Sequence, residues 1–141
     1  MLENIYNQKV TILNKLRRAD TPEKKEDLWF KTVVTDAAWY TDSARSAGSS
    51  SVFIGTYITV LLPFHEEYIP YLEWKDLKNK DEKFTISTGD YIILGEVEEE
   101  VTAANVVAVM QKYGENVCLV RHHKASYPRF GATVQLKIEG V

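Results

Sequence analysis

One run constrains the fold of this chain more than any other: Phe53-Ile-Gly-Thr-Tyr-Ile-Thr-Val-Leu-Leu, closed by Pro63. β-branched and aromatic side chains crowd a helix but fit a pleated strand, and proline ends a ladder by removing a donor. Apolar residues fall on both faces of the run. It therefore reads as a strand central in its sheet or covered by a neighbouring subunit.

Weaker strand signals surround it. Residues 5–14 alternate imperfectly, and residues 28–40 contain two pieces, Leu-Trp-Phe-Lys-Thr-Val-Val and Ala-Ala-Trp-Tyr, with a bend or bulge at Thr35-Asp36. Residues 84–87 and 91–97 read as a short and a longer strand about the turn residues Gly89-Asp90. Residues 116–122 and 133–138 read as the last two strands. Val134, Leu136 and Ile138 alternate there with Gln135, Lys137 and Glu139, the cleanest half-buried pattern in the chain. Residues 68–77 read as an irregular cover over one end of a sheet or barrel. One helix is predicted, over 103–113, with Thr102 as N-cap, an apolar stripe of Val106, Val109, Met110 and Tyr113, and Gly114 as terminator. The expected fold is mainly β: a small β-barrel or sandwich of about six to seven mostly antiparallel strands, with one short helix late in the chain. Residues 1–141 form a single domain on this reading.

Between the strand signals lies Thr41-Asp-Ser-Ala-Arg-Ser-Ala-Gly-Ser-Ser-Ser51, small, polar and nearly devoid of apolar side chains. A segment of this composition buries too little apolar surface to order itself, and long structureless loops inside compact domains are mostly functional or disordered. The sequence therefore predicts a long flexible arm at about 41–52. Asp42, Arg45, Ser46, Gly48, Ser49, Ser50 and Ser51 are its candidate inter-subunit or gating residues.

Composition narrows the function. A hydrophobic fraction of 45%, with 26% charged residues, is ordinary for a globular domain. The formal net charge of −3 argues against a surface built to grip nucleic-acid phosphates. Basic residues are dispersed apart from Lys15-Leu-Arg-Arg18 and Arg121-His-His-Lys124. The single cysteine, Cys118, excludes an internal disulfide and a multi-cysteine zinc site, and its apolar neighbours mark it as a buried strand residue. No apolar run has the length of a membrane span and no signal-peptide pattern opens the chain, so we expect a soluble protein made in a reducing compartment, with no membrane partner.

No catalytic pattern emerges. Glu96, Glu98, Glu99 and Glu100 cluster, but their spacing matches no calcium loop; a solvated strand end leading into a helix N-terminus is the simpler reading, and an acidic rim on a channel a further one. His122 and His123 are adjacent, and neighbours on a strand point to opposite faces, so a metal site needs His65, Glu66 or another acid as well. The serine run lacks a nucleophile elbow, and no phosphate-binding glycine pattern is present. Trp29, Trp39 and Trp74 sit among apolar residues, as core or interface aromatics do, although a small barrel using them to bind a ligand is an alternative. No enzyme is expected, and no cofactor.

Trp39-Tyr-Thr-Asp42, the small-residue arm, Tyr57-Ile-Thr-Val-Leu-Leu-Pro63, the strand from Gly89 to Gly95, a short helix, and a final strand running from Phe130-Gly131 to Glu139-Gly140 together form a recognisable order. Over roughly residues 28–141 it resembles the head–tail connector proteins of tailed phages of Gram-positive bacteria. The resemblance implies a β-barrel protomer in a homo-oligomeric, twelve-fold ring in the virion neck, assembled in the host cytoplasm as a head-completion stopper or adaptor. Its implied partners are portal or adaptor and tail proteins, with DNA passing through the lumen without sequence-specific binding. In such a ring Glu96, Glu98, Glu99 and Glu100 form a candidate acidic lining. A six-fold tail terminator or tail-completion ring is the nearest alternative.

Overall fold

A computed structural model describes residues 5–47, 52–63, 65–126 and 135–141. Six strands are present among them: β1 Gln8–Leu16, β2 Leu28–Ala47, β3 Val52–Pro63, β4 Tyr91–Leu94, β5 Val117–Ser126 and β6 Gln135–Gly140. They close into a barrel in the order β1-β2-β3-β6-β5-β4, and every neighbouring pair is antiparallel. The helices are a single turn, α1 Tyr71–Trp74, and α2 Val106–Tyr113. The mainly β class, the barrel and the late helix all match the sequence reading.

The barrel is filled with side chains. Val10 and Ile12 of β1, Ile58, Val60 and Leu62 of β3, and Leu136 and Ile138 of β6 point inward at period two, and Val34 and Ala37 of β2 do so three residues apart across a bulge. Residues 65–90 cross one end and push Phe84 and Ile86 into this core. An isolated parallel bridge between Tyr68 and Phe84, made by Phe84 N donating to the Glu67 carbonyl at 2.9 Å and Ile69 N to the Phe84 carbonyl at 3.0 Å, stands in place of the short strand expected at 84–87. Trp74 is fully buried in this cover and meets the Phe30 ring edge-on at 5.4 Å. Burying a side chain of that size stabilises by several kcal/mol.

A second core lies outside the barrel wall. Leu13 and Ile93 turn away from the interior, and Val97, Val101 and Val109 of the 95–113 segment cover them. β1 is consequently buried on both faces from Val10 to Asn14. β3 lies between β2 and β6 with Ile58, Val60 and Leu62 buried, but Tyr57 is exposed and Leu61 only half-buried, so the barrel covers one face of its two-faced pattern.

Some boundaries move. Residues 28–40 belong to one continuous strand, with a register irregularity where Gln8 pairs Ala37 but Val10 pairs Val34. One extra residue on β2 falls at the predicted bulge, Thr35-Asp36. α2 begins four residues after Thr102, which is not its cap. The Thr102 carbonyl instead accepts from Asn105 N and Val106 N, while Asn105 Oδ1 accepts from Thr102 N at 2.7 Å. That turn competes with helix geometry until position 106. Gly114 does end α2, at φ +54°.

The Gly89-Asp90 turn conceals a buried polar junction. Gly89 takes φ +96°, and Asp90, 1% exposed, points back into the protein. Its carboxylate accepts from Lys15 N at 3.0 Å, Asn14 Nδ2 at 2.9 Å and Ser87 N at 2.9 Å. Burial pushes its pKa up to about 6, against the opposing pull of those three donors. The junction ties the cover to β1.

Candidate functional site

The wall of the barrel ends before β2 and β3 do. β1 pairs with β2 only as far as Gln8 opposite Ala37, and β6 pairs with β3 only as far as Gly140 opposite Ile58. β2 and β3 continue together from Asp42 opposite Tyr57 to Ala47 opposite Val52. Among the described residues no third strand joins this stretch. The result is a two-stranded ribbon six residue pairs long, reaching about 20 Å beyond the barrel at strand rise.

This corrects the reading of residues 41–51 as a structureless arm. Residues 41–47 are strand, and Asp42, Arg45 and Ser46 are registered opposite Tyr57, Ile54 and Phe53. Gly48, Ser49, Ser50 and Ser51 lie outside the described residues. The small polar composition was a poor guide because the ladder is supplied by the partner. β3 is a strong strand only a few residues away, so closing the hairpin costs little chain entropy and pairing overrides weak local propensity.

Apolar surface collects at the root of the ribbon. Tyr40, Tyr57 and Val141 are each about half exposed, at 46%, 52% and 49%. On the other face of the ribbon root, and sharing only Val141 with these side chains, an open groove of about 700 Å³ runs beneath α2, walled by Ile58, Tyr91, Met110, Val117 and Leu119. Val107 of α2 stands at its rim, 67% exposed. Adjacent exposed apolar groups of this kind mark interaction surfaces more than catalytic ones.

The acidic cluster is partly neutralised. Glu96 faces Lys9 at 3.8 Å, and Glu99 pairs with Lys112 at 2.8 Å and accepts from the Tyr113 hydroxyl at 3.3 Å. The Lys112 contact holds the Glu99 carboxyl below its usual range and raises the lysine. Lys31 Nζ donates to the Val97 carbonyl at 2.9 Å, stitching the loop that carries the cluster to β2. Glu98 and Glu100 are exposed.

The other candidates are dispersed. His65 follows β3 and lies 3.0 Å from Asp36 and 3.8 Å from Glu67, with Nε2 off the line of a hydrogen bond to Asp36. His122 and His123 are exposed on β5, registered opposite Glu139 and Ile138, hence on opposite faces. Among the described residues no three acids, histidines or cysteines gather to hold a metal ion. Trp29 packs on Tyr91 at 5.5 Å outside the barrel wall, Trp39 lies against the interior core and Trp74 is in the cover. The three do not line one pocket. Cys118 is fully buried, and burial pushes its thiol up to about 12.

Two features escaped the sequence reading. Asp90 carried only a turn signal, since nothing local shows that three donors converge on it. The apolar root of the ribbon depends on Val141 meeting Leu119 through paired backbone hydrogen bonds, a contact between residues distant in sequence.

No curated protein and no solved structure matches this chain. A family model described as a family of unknown function, DUF6751, matches residues 5–141, and the chain belongs to that family.

Proposed function

We propose that this protein is a non-enzymatic structural protein of the phage neck, whose barrels assemble side by side into a ring joining the head to the tail. One observation carries the reading: a closed, filled barrel extends a two-stranded ribbon with no third strand, among the described residues, along either edge. Unpaired strand edges favour pairing with another chain, and a ring demands contacts between two different faces of each subunit. The ribbon serves as the inter-subunit or gating element, carrying Asp42, Arg45 and Ser46. Glu98 and Glu100, with Glu96 and Glu99 held by lysines, leave a modest negative charge suited to a lumen that repels DNA phosphates. The ring joins portal or adaptor to tail proteins within the virion.

Electron microscopy of the concentrated protein, alone and mixed with the portal ring of the same phage, tests this. Twelve-fold rings or portal-bound collars are expected. Six-fold rings would shift the assignment to a tail terminator. A monomer that neither self-associates nor binds the portal would overturn the reading.

A further inference from the structure

Two oppositely charged faces stand on opposite sides of the barrel. On the outer face of β5, His122 and Lys124 are exposed, with Arg121 exposed beside them at the register irregularity, whereas His123 turns to the other face. The register sets Lys124 directly opposite Lys137 on β6, a like-charge pair that only the Lys137 contact with Glu139 relieves. The neighbouring acid, Glu139, is engaged by Lys137 at 3.2 Å. Among the described residues neither Arg121 nor Lys124 forms an ion pair.

The second face is an open groove of about 550 Å³ formed by residues 32–36 of β2, 65–67 and 81–84. Asp36, Glu66, Glu67, Asp81 and Glu82 line it, against one ammonium, that of Lys83, and the imidazole of His65. Glu66, Glu67, Asp81 and Glu82 are exposed. In the barrel order β1-β2-β3-β6-β5-β4, strands β2 and β5 are three positions apart in either direction. The β2 wall of the groove and strand β5 therefore lie across the barrel from one another.

Opposed, complementary and different faces are what head-to-tail packing into a ring requires. We infer that the basic β5 face of one subunit docks into the acidic β2 groove of the next copy of the same chain. This rests on the ring reading above and names the faces that build it. DNA would satisfy the basic strand but would leave the acidic groove unmatched.

Charge exchange tests the pairing. Sedimentation at low ionic strength compares the native chain with two double variants, Arg121→Glu/Lys124→Glu and Glu66→Lys/Glu82→Lys, each checked for a native circular dichroism spectrum. These side chains are exposed, so folding is retained. The native chain should associate at low salt and weaken as salt screens the contact. Each variant alone should lose association by at least about tenfold, and an equimolar mixture of the two should recover it, because each reversed face then meets its complement. Native rings unaffected by either substitution would overturn the inference and leave the ring reading standing. A chain that does not associate at any salt concentration, with or without a portal ring, would remove both. Loss of duplex-oligonucleotide binding in Arg121→Glu/Lys124→Glu, with self-association unchanged, would reassign β5 to DNA.

Discussion

The strands on the two sides of this barrel are built to different standards. On the β1–β4 side the sheet is covered twice, by the barrel interior and by the 95–113 segment, so that Thr11, Leu13 and Ile93 are buried although they point away from the interior. On the β2–β3 side the sheet runs past every neighbour and ends as a two-stranded ribbon. Isolated hairpins are at best marginally stable in water, so the ribbon borrows its order from the barrel and returns little stability. The contrast separates a region that holds the fold from a region spared for contact.

Substitutions should reveal that asymmetry. The largest effect is expected at Leu13, fully buried beneath the 95–113 segment: Leu13→Ala should cost about 2–5 kcal/mol in denaturant unfolding. A loss below about 1 kcal/mol would mean that the outer cover is loosely packed.

Asp90 gives the next effect, through pH. Its folded pKa of about 6 lies above the usual aspartate value of about 3.9 that the unfolded chain keeps. The folded state therefore binds the proton more tightly. The stabilising contribution is full below about pH 4 and is lost as pH rises through about 6, with an amplitude of roughly 3 kcal/mol at most. Unfolding measured from pH 4 to 7 should show this slope, and Asp90→Asn should remove it. An unchanged slope in the variant would place the titration elsewhere.

Replacing residues 42–57 by Asn-Gly comes third. Thr41 and Ile58 are direct register partners, so a two-residue turn closes the shortened hairpin. The barrel should keep its stability to within about 1 kcal/mol. The smallest effect is expected for Tyr57→Ala at the exposed root, about 0.5 kcal/mol or less in unfolding, with assembly weakened far more. If Tyr57→Ala unfolds the barrel, the division between the two regions fails.

Much of the barrel was legible because its strands carry their own signals. The alternation of Leu136 and Ile138, the β-branched run of β3 and the terminator Gly114 act locally, and each appears where it was read. The bulge at Thr35-Asp36 was legible for the same reason. What stayed hidden depends on partners distant in sequence. Thr41 to Ala47 looked unable to order because their ladder is provided by β3. Asp90 looked like a turn residue because two of its three donors, Asn14 and Lys15, lie more than seventy positions away.

The ribbon assembles the protein on this reading, and the barrel folds without it. Electron microscopy and thermal unfolding of the chain carrying Asn-Gly in place of residues 42–57 test it together. We expect a barrel that melts like the native protein but forms no rings, alone or with the portal. Rings indistinguishable from native, or a chain that no longer folds, would contradict it.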